Sequence, residues 1–241
     1  MSDPTPRVFA GVITDIATRR LAPGDRLPHE AELGRRFGVT PDSVKAAIRD
    51  LAHHGLVEET AEDEQTVTPE SHWDVLEPRV LDVLLASPSG PPILAEYLEY
   101  RRVIEVIAAG LAAEHATADD LAALSDALAE MAAAAAAGAE ARFHRADVAF
   151  HQALLAAGDN RPLEQAAGRL QAALCTARRP LARPELRQQR GLPEHQRILA
   201  AVAQGDPEAA REAMEAHLDT IESYLRQYAE LAHTTAGPDE R

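Results

Sequence analysis

The chain is poor in the residues that would staple it, insert it in a membrane or coat it on nucleic acid. One cysteine, Cys175, among 241 residues leaves no intrachain disulfide, which fits a reducing cytoplasm. Aromatics make up 4% of the sequence, and strand-type runs of Val, Ile, Thr and Tyr are almost absent. A mostly helical protein follows. The longest apolar run, Met131 to Ala137, is mostly alanine and falls short of the ~18 residues of a membrane span. The opening MSDPTPRVFAG has no apolar signal core. Positive charge is scarce too. A net charge of −15 argues against a general nucleic-acid coating protein, but not against a small DNA-reading module on an acidic body. The expectation is a cytoplasmic protein with no membrane association.

What is present has helical period. From Pro6 to Leu21, the apolar Val8, Val12, Ile16 and Leu21 recur at near-helical spacing. APGDRLP, Ala22 to Pro28, breaks that helix. HEAELGRRFG predicts a short helix stopped by Gly38. VTPDSVKAAIRDLAHHG predicts another, with Thr40 as N-cap, Pro41 at the first helical position and Gly55 as C-cap. LVEET and QTVTP read as two short strands around an acidic turn. This order is that of a winged helix-turn-helix. Beyond Ser71 the pattern is helical, in segments near 71–86, 93–115, 118–137, 140–157, 161–179, 192–204 and 207–232, separated by Pro, Gly, Asp and Asn signals. Asp206 caps the last segment, and Pro207 opens it. The expected fold is mainly α. A winged helix-turn-helix spans 1–70, a linker helix and connector 71–91, an all-helical bundle 92–233 and a disordered tail 234–241.

One short stretch of the bundle, DVAFH, places Asp147 and His151 four residues apart on one helix face. Polar groups on a buried face are unfavourable unless something satisfies them. His195, in PEHQRIL, and His217, in AMEAHLDTI, sit on later amphipathic helices. If they converge, three histidines and one carboxylate form a divalent metal site with positions left open. Imidazole and carboxylate suit Zn, Ni, Mn or Fe rather than Ca. Spacing alone is met as well by an Asp–His hydrogen bond on a half-exposed face. His144 lies on about the same face and is a rival ligand. His53, His54, His72, His115 and His233 are expected at the surface or between domains, and Cys175 as a small core residue. An open metal can activate water, but no nucleophile motif or separate general base accompanies these residues, so an enzyme is the weaker reading.

LAPGDRLPHEAEL, RRFGVT and HHGLVE resemble the GntR family of bacterial regulators. EYRRVIE, DVAFHQALLAAGDN and EHQRILAAVAQGDPEAAREAMEAHL resemble the FCD effector domain of its FadR subfamily. Together these segments cover nearly the whole chain, in the family's order. The resemblance implies one metal ion held by Asp147, His151, His195 and His217. It implies an effector, a small carboxylate or sugar acid, that Arg101 pairs bidentately; the alternative for Arg101 is a surface ion pair with Glu105. His144 is left as a pocket residue. Asn160 matches a family asparagine, with capping of the next helix as its other role. The resemblance also implies a homodimer on a double-stranded DNA operator, usually repressing, whose effector shifts the DNA-binding heads through 71–91.

The DNA-reading positions depart from the family pattern. Ala31 follows the glutamate of the LPxE motif where an Arg is usual. Pro41 replaces another Arg, Asp42 follows it, Lys45 replaces a third, and the wing tip is the acidic AEDEQ. Residues 1–70 carry eight Lys and Arg against thirteen Asp and Glu. The remaining candidates for DNA contact are Arg35, Arg36, Thr40, Ser43, Lys45 and Arg49. An alternative is a sensor whose degenerate DNA-binding head acts through a protein partner.

Overall fold

A computed structural model describes residues 5–60, 64–88, 90–177 and 184–235 and, among these, the side chains outside 172–190 and 224–235. The chain divides into two compact units, Met1–Leu94 and Ala95–Arg241.

The first unit is built on α1 (Thr5–Ala17), α2 (Glu30–Phe37) and α3 (Pro41–His53). Val8, Phe9, Val12, Ile13 and Ile16 of α1 are buried against Leu33, Val44, Ala47 and Leu51 of α2 and α3. Gly38, at φ 63°, ends α2 in a left-handed cap, a conformation in which glycine escapes the Cβ clash. Thr40 caps α3: its Oγ1 accepts from the Ser43 N–H at 3.3 Å, with Pro41 at the start of the helix. The wing is antiparallel, β1 (Val57–Glu59) on β2 (Gln65–Val67), in the register Val57↔Val67 and Glu59↔Gln65. Arg26 bridges to Thr66 as a third partner. Gly55, at φ 71°, allows the close approach of the wing's far side: a Cβ there would lie 2.1 Å from the His72 carbonyl oxygen.

Segment 71–86 differs from the continuous helix its sequence suggests. A 3-10 turn at Glu70–His72 is followed by a separate α4 (Pro78–Leu85). Pro78 fits only the first turn of a helix, and Trp73 leaves the helical path to donate from Nε1 to the Thr68 carbonyl at 3.2 Å. Val80 and Leu84 of α4 join the core of the first unit. The segment read as a linker thus packs onto the winged helix, because its apolar face needs cover.

The second unit is helical: α5 (Gly90–His115, whose first residues fall in the first unit), α6 (Ala118–Ala136), α7 (Glu140–Ala157), α8 (Arg161–Ala177), α9 (Pro184–Gln204) and α10 (Pro207–Thr235). The cap expected at Asp206 is present, and a second, at Thr117, was not expected from sequence. Thr117 and Asp120 form a capping box on α6, and Asp206 Oδ1 accepts from the Ala209 N–H at 3.0 Å on α10. The core mixes large and small residues: Phe150, Leu154, Met131, Ile198 and Met214 are packed with Ala109, Ala112, Ala134 and Ala210. The abundant alanine lets the helices approach closely, which brings side chains from four of them within reach of one point. The predicted tail falls mostly outside the described residues.

Candidate metal centre

The DVAFH face of α7 points inward. Phe150, on that face, is fully buried and stands edge-on to the His195 ring at 4.8 Å. Around it lie Arg101 and Glu105 of α5, Asp147 and His151 of α7, Glu194 and His195 of α9, and His217 of α10, all buried. The ligand-capable atoms of His151, His195 and His217 lie within 4.8 Å of one another. Asp147 Oδ1 joins them, 3.2 Å from His195 Nε2 and 3.9 Å from His151 Nε2.

The outer atoms fix which ring nitrogens carry protons. His195 Nδ1 is 2.6 Å from the Gly191 carbonyl oxygen, which can only accept, so Nδ1 holds the proton. His217 Nδ1 is 3.0 Å from Glu194 Oε2, and Thr220 Oγ1 donates to the other oxygen of Glu194 at 2.7 Å. His151 Nε2 is 3.3 Å from Arg101 Nη2, which can only donate, and its Nδ1 is 3.0 Å from Glu105 Oε2 without the alignment of a hydrogen bond. Each Nε2 is therefore the unprotonated nitrogen, and that of His151 faces the Arg101 N–H. His151 Nε2 and His195 Nε2 are 3.3 Å apart, and His217 Nε2 is buried with no partner. Lone pairs and a carboxylate crowded in this way repel one another unless a cation sits among them. The three histidines could hold a metal ion, and outer carboxylates and a carbonyl stand where they would orient ligating imidazoles.

The electrostatics agree. Burial resists ionisation of Glu105, but Arg101 and His151 outweigh it and hold the carboxyl well below its usual range. Burial, with Arg101 and against Glu105, lowers His151. Burial together with the neighbouring His195, His151 and Arg101 pushes His217 well below the usual imidazole value. Neutral rings are the state that ligates a metal.

Arg101 is neither at the surface nor free. It is 1% exposed and donates from Nε and Nη2 to Glu105 at 2.6 and 3.2 Å. The surface ion pair considered from sequence is a buried one. Nη1 has no partner. His144 is half-buried on α7, one turn before Asp147, outside the three-histidine group. Asn160 is exposed, and its Oδ1 accepts from the Leu163 N–H at 3.1 Å, capping α8. Glu105 and Glu194 carry more of the site than sequence suggested. Their only signals were positions beside named residues: i+4 from Arg101 and next to His195. Cys175 and His233 lie outside the described side chains.

Of the six DNA-contact candidates, Arg35, Arg36, Thr40, Lys45 and Arg49 are exposed and Ser43 is half-buried. Lys45 Nζ stands 3.9 Å from Glu30 Oε2. The Thr40 and Ser43 hydroxyls are 3.0 Å apart at the start of α3. Arg36 is committed elsewhere. It grips the buried Asp15 of α1 through both Nη atoms, with Arg20 Nε on the same carboxylate at 2.8 Å. Burial opposes ionisation of Asp15, but these two guanidinium groups outweigh it and lower its pKa. His54, expected at the surface or between domains, is half-buried, with Nδ1 3.4 Å from Asp74 Oδ2.

Residues 96–220 match the FCD domain family, and residues 4–61 match bacterial regulatory proteins of the gntR family. The HTH-type transcriptional regulator LutR of Bacillus subtilis is 33% identical over 220 residues, 89% of this chain and 98% of that protein. The galactonate operon transcriptional repressor of Escherichia coli is 31% identical over 120 residues, and that match spans about half of each chain, 50% here and 52% there. Lar, which controls expression of the Listeria monocytogenes agr system, shares the fold with a TM-score of 0.64 at 16% identity, over 92% of this chain and 96% of that one. No helix among the described residues is long and apolar enough to cross a membrane. The family matches and the nearly full-length likeness to LutR make the chain a GntR-family transcriptional regulator, with an FCD domain after its helix-turn-helix.

Proposed function

We propose that this regulator senses a small carboxylate or sugar acid through a metal-containing bundle and couples that binding to operator occupancy as a homodimer, most simply as a repressor. The observation that carries the reading is the convergence of three histidine lone pairs and Asp147 beside an Arg101 whose Nη1 is unpartnered. Asp147, His151, His195 and His217 would hold a divalent transition metal, Zn, Ni, Mn or Fe. Such a metal supplies a Lewis-acidic anchor for an anionic ligand. Glu194 and the Gly191 carbonyl hold the ring tautomers that leave Nε2 free to ligate. Glu105 occupies the Nε–Nη2 edge of Arg101, so the guanidinium meets an entering carboxylate with Nη1 rather than with its bidentate edge. The ligand acts on DNA binding only through its different affinity for the two states of the protein. The galactonate repressor supplies the precedent for repression and for a sugar-acid operon.

The test is selection of genomic DNA fragments by the metal-loaded protein, followed by titration of the enriched sites with carboxylates at several salt concentrations. A palindrome whose binding weakens with salt and is altered by one acid supports the reading. A second reading, a head acting through a protein partner, rests on Asp42, the acidic wing and the engagement of Arg36 by Asp15. It predicts no enriched sequence with or without acids.

A further inference from the structure

Arg101 brings a donor to the nitrogen that would ligate a metal. Its Nε and Nη2 donate to Glu105 Oε1 and Oε2 at 2.6 and 3.2 Å, and Nη2 also stands 3.3 Å from His151 Nε2. A guanidinium can only donate, so the ring nitrogen accepts. Nη2 carries two N–H groups; Glu105 takes one and His151 the other. Glu105 meets the same ring at its second nitrogen, with Oε2 3.0 Å from His151 Nδ1. Arg101 and Glu105, one turn apart on α5, thus hold the ring between them.

A neutral imidazole has one accepting lone pair, in the plane of the ring. It goes to an N–H or to a metal ion, not to both. His195 and His217 are held differently. Their outer contacts, to the Gly191 carbonyl and to Glu194, are made by Nδ1, and His217 Nε2 has no partner. Of the three ligand candidates, His151 has a cationic donor on the nitrogen that the other two turn inward. Charge does not require that donor to leave the site. Around the one guanidinium stand three buried carboxyl groups, Glu105, Asp147 and Glu194, so a divalent ion joins Arg101 rather than substituting for it.

We propose that Arg101 sets the affinity of the centre by competing with the metal ion for His151 Nε2, and that His151 ligation releases the Nη2 donor. The inference rests on the metal-centred reading above and gives that site an order of events. Once released, the Nη2 N–H stands beside the unpartnered Nη1, and the guanidinium offers an anion two donors where it offered one.

The test is the zinc affinity of the full-length protein, measured by competition with a chromophoric chelator. Arg101→Lys keeps the charge. Its ammonium reaches about as far as the Arg101 Nε that holds Glu105, but it brings no nitrogen to His151. It binds zinc roughly tenfold more tightly than the native protein, the ratio that loss of one competing charge-assisted hydrogen bond gives. His151→Ala binds zinc more weakly than the native protein, and adding Arg101→Lys to it brings no gain, because the contested lone pair has gone. A gain that persists beside His151→Ala assigns the effect to charge at large and overturns the proposal. So does an Arg101→Lys protein that binds zinc no more tightly than the native one. A second measurement needs no variant to fold. With the histidine nitrogens of the native protein isotopically labelled, zinc moves the Nε2 resonances of His151, His195 and His217 together. If His151 Nε2 stays in place while the other two move, the proposal falls and the metal reading stands. If zinc moves none of them, the metal reading falls and takes this proposal with it.

Discussion

Among the described residues, the winged helix buries two polar side chains, Asp15 and Thr68; the bundle buries Arg101, Glu105, Asp147, His151, Gln171, Glu194, His195 and His217. In the head, the buried carboxylate is fully spent. Asp15 is clamped by Arg36 and Arg20 and ties α2 to α1, while Thr68 donates to the Gly55 carbonyl and receives the Trp73 indole. In the bundle, polar atoms remain unspent after every internal hydrogen bond is made. Buried polarity that is satisfied holds a fold together, whereas buried polarity that is left over marks a place for something else.

The largest effect that separates the two regions is the loss of one member of the buried pair. Glu105→Met leaves Arg101 charged in the interior, for a cost of about 3–5 kcal/mol in bundle stability. The double change Arg101→Met with Glu105→Met recovers most of it. In the head, Arg79→Met removes a half-exposed pair with Asp50 and costs about 1 kcal/mol or less. Trp73 is the only tryptophan and lies in the first unit, so its fluorescence follows the head, while far-UV circular dichroism follows mostly the bundle. Equal shifts of the two signals for Glu105→Met would erase the contrast.

Chelation comes next. A metal at 100 times its dissociation constant stabilises the folded state by about 2.7 kcal/mol. Removing it lowers the dichroism transition and leaves the Trp73 transition in place. His217→Ala mimics the chelated state and abolishes further response to chelator. A protein whose dichroism transition ignores both chelator and His217→Ala has no structural metal at this centre.

Acid separates the regions by pH. His217 and His151 have lowered folded-state values, so their contribution is present above the unfolded value of ~6.5 and is lost as pH falls below it. Asp15 is also lowered, but its contribution is lost only below the unfolded carboxylate value of ~3.9. In metal-free protein the bundle therefore weakens from about pH 6.5 downward, and the head only below about pH 4. Chemical denaturation at pH 7, 5.5 and 4.5, followed by both signals, checks the order. A head that weakens first contradicts it.

How much of this was legible in the sequence follows from the range of each signal. Caps and breakers act locally, so Thr40, Gly38, Gly55 and Asp206 could be placed from a few neighbouring residues. Helical period fixed the inward face of α7, which put Asp147 and His151 on one side. Convergence of four helices is not a local property, and spacing could not bring His195 and His217 to them; the family resemblance did. The engagement of Arg36 by Asp15 spans 21 residues and had no local trace, so Arg36 was grouped with the DNA-facing cations. Gln171 was invisible for a related reason: a glutamine on a helix with many polar residues looks solvated until the packing shows that it is not.

The smallest expected effect tests the head as a DNA reader. Arg36 already has a carboxylate partner, so its net charge toward a phosphate is small. Lys45 has only a 3.9 Å approach to Glu30, and Arg49 is exposed on the same helix. On a selected operator, Lys45→Ala and Arg49→Ala each lower the slope of log affinity against log salt by about 0.9 for every phosphate left without its cation. Arg36→Met destabilises the head, as read by Trp73, and changes the slope little. Asp42→Asn, at the start of α3, raises affinity by removing a like charge from the phosphates. If Arg36→Met alters the slope as much as Lys45→Ala does, the Asp15 clamp opens on DNA, and the head's buried charge is held in reserve in the same way as the bundle's.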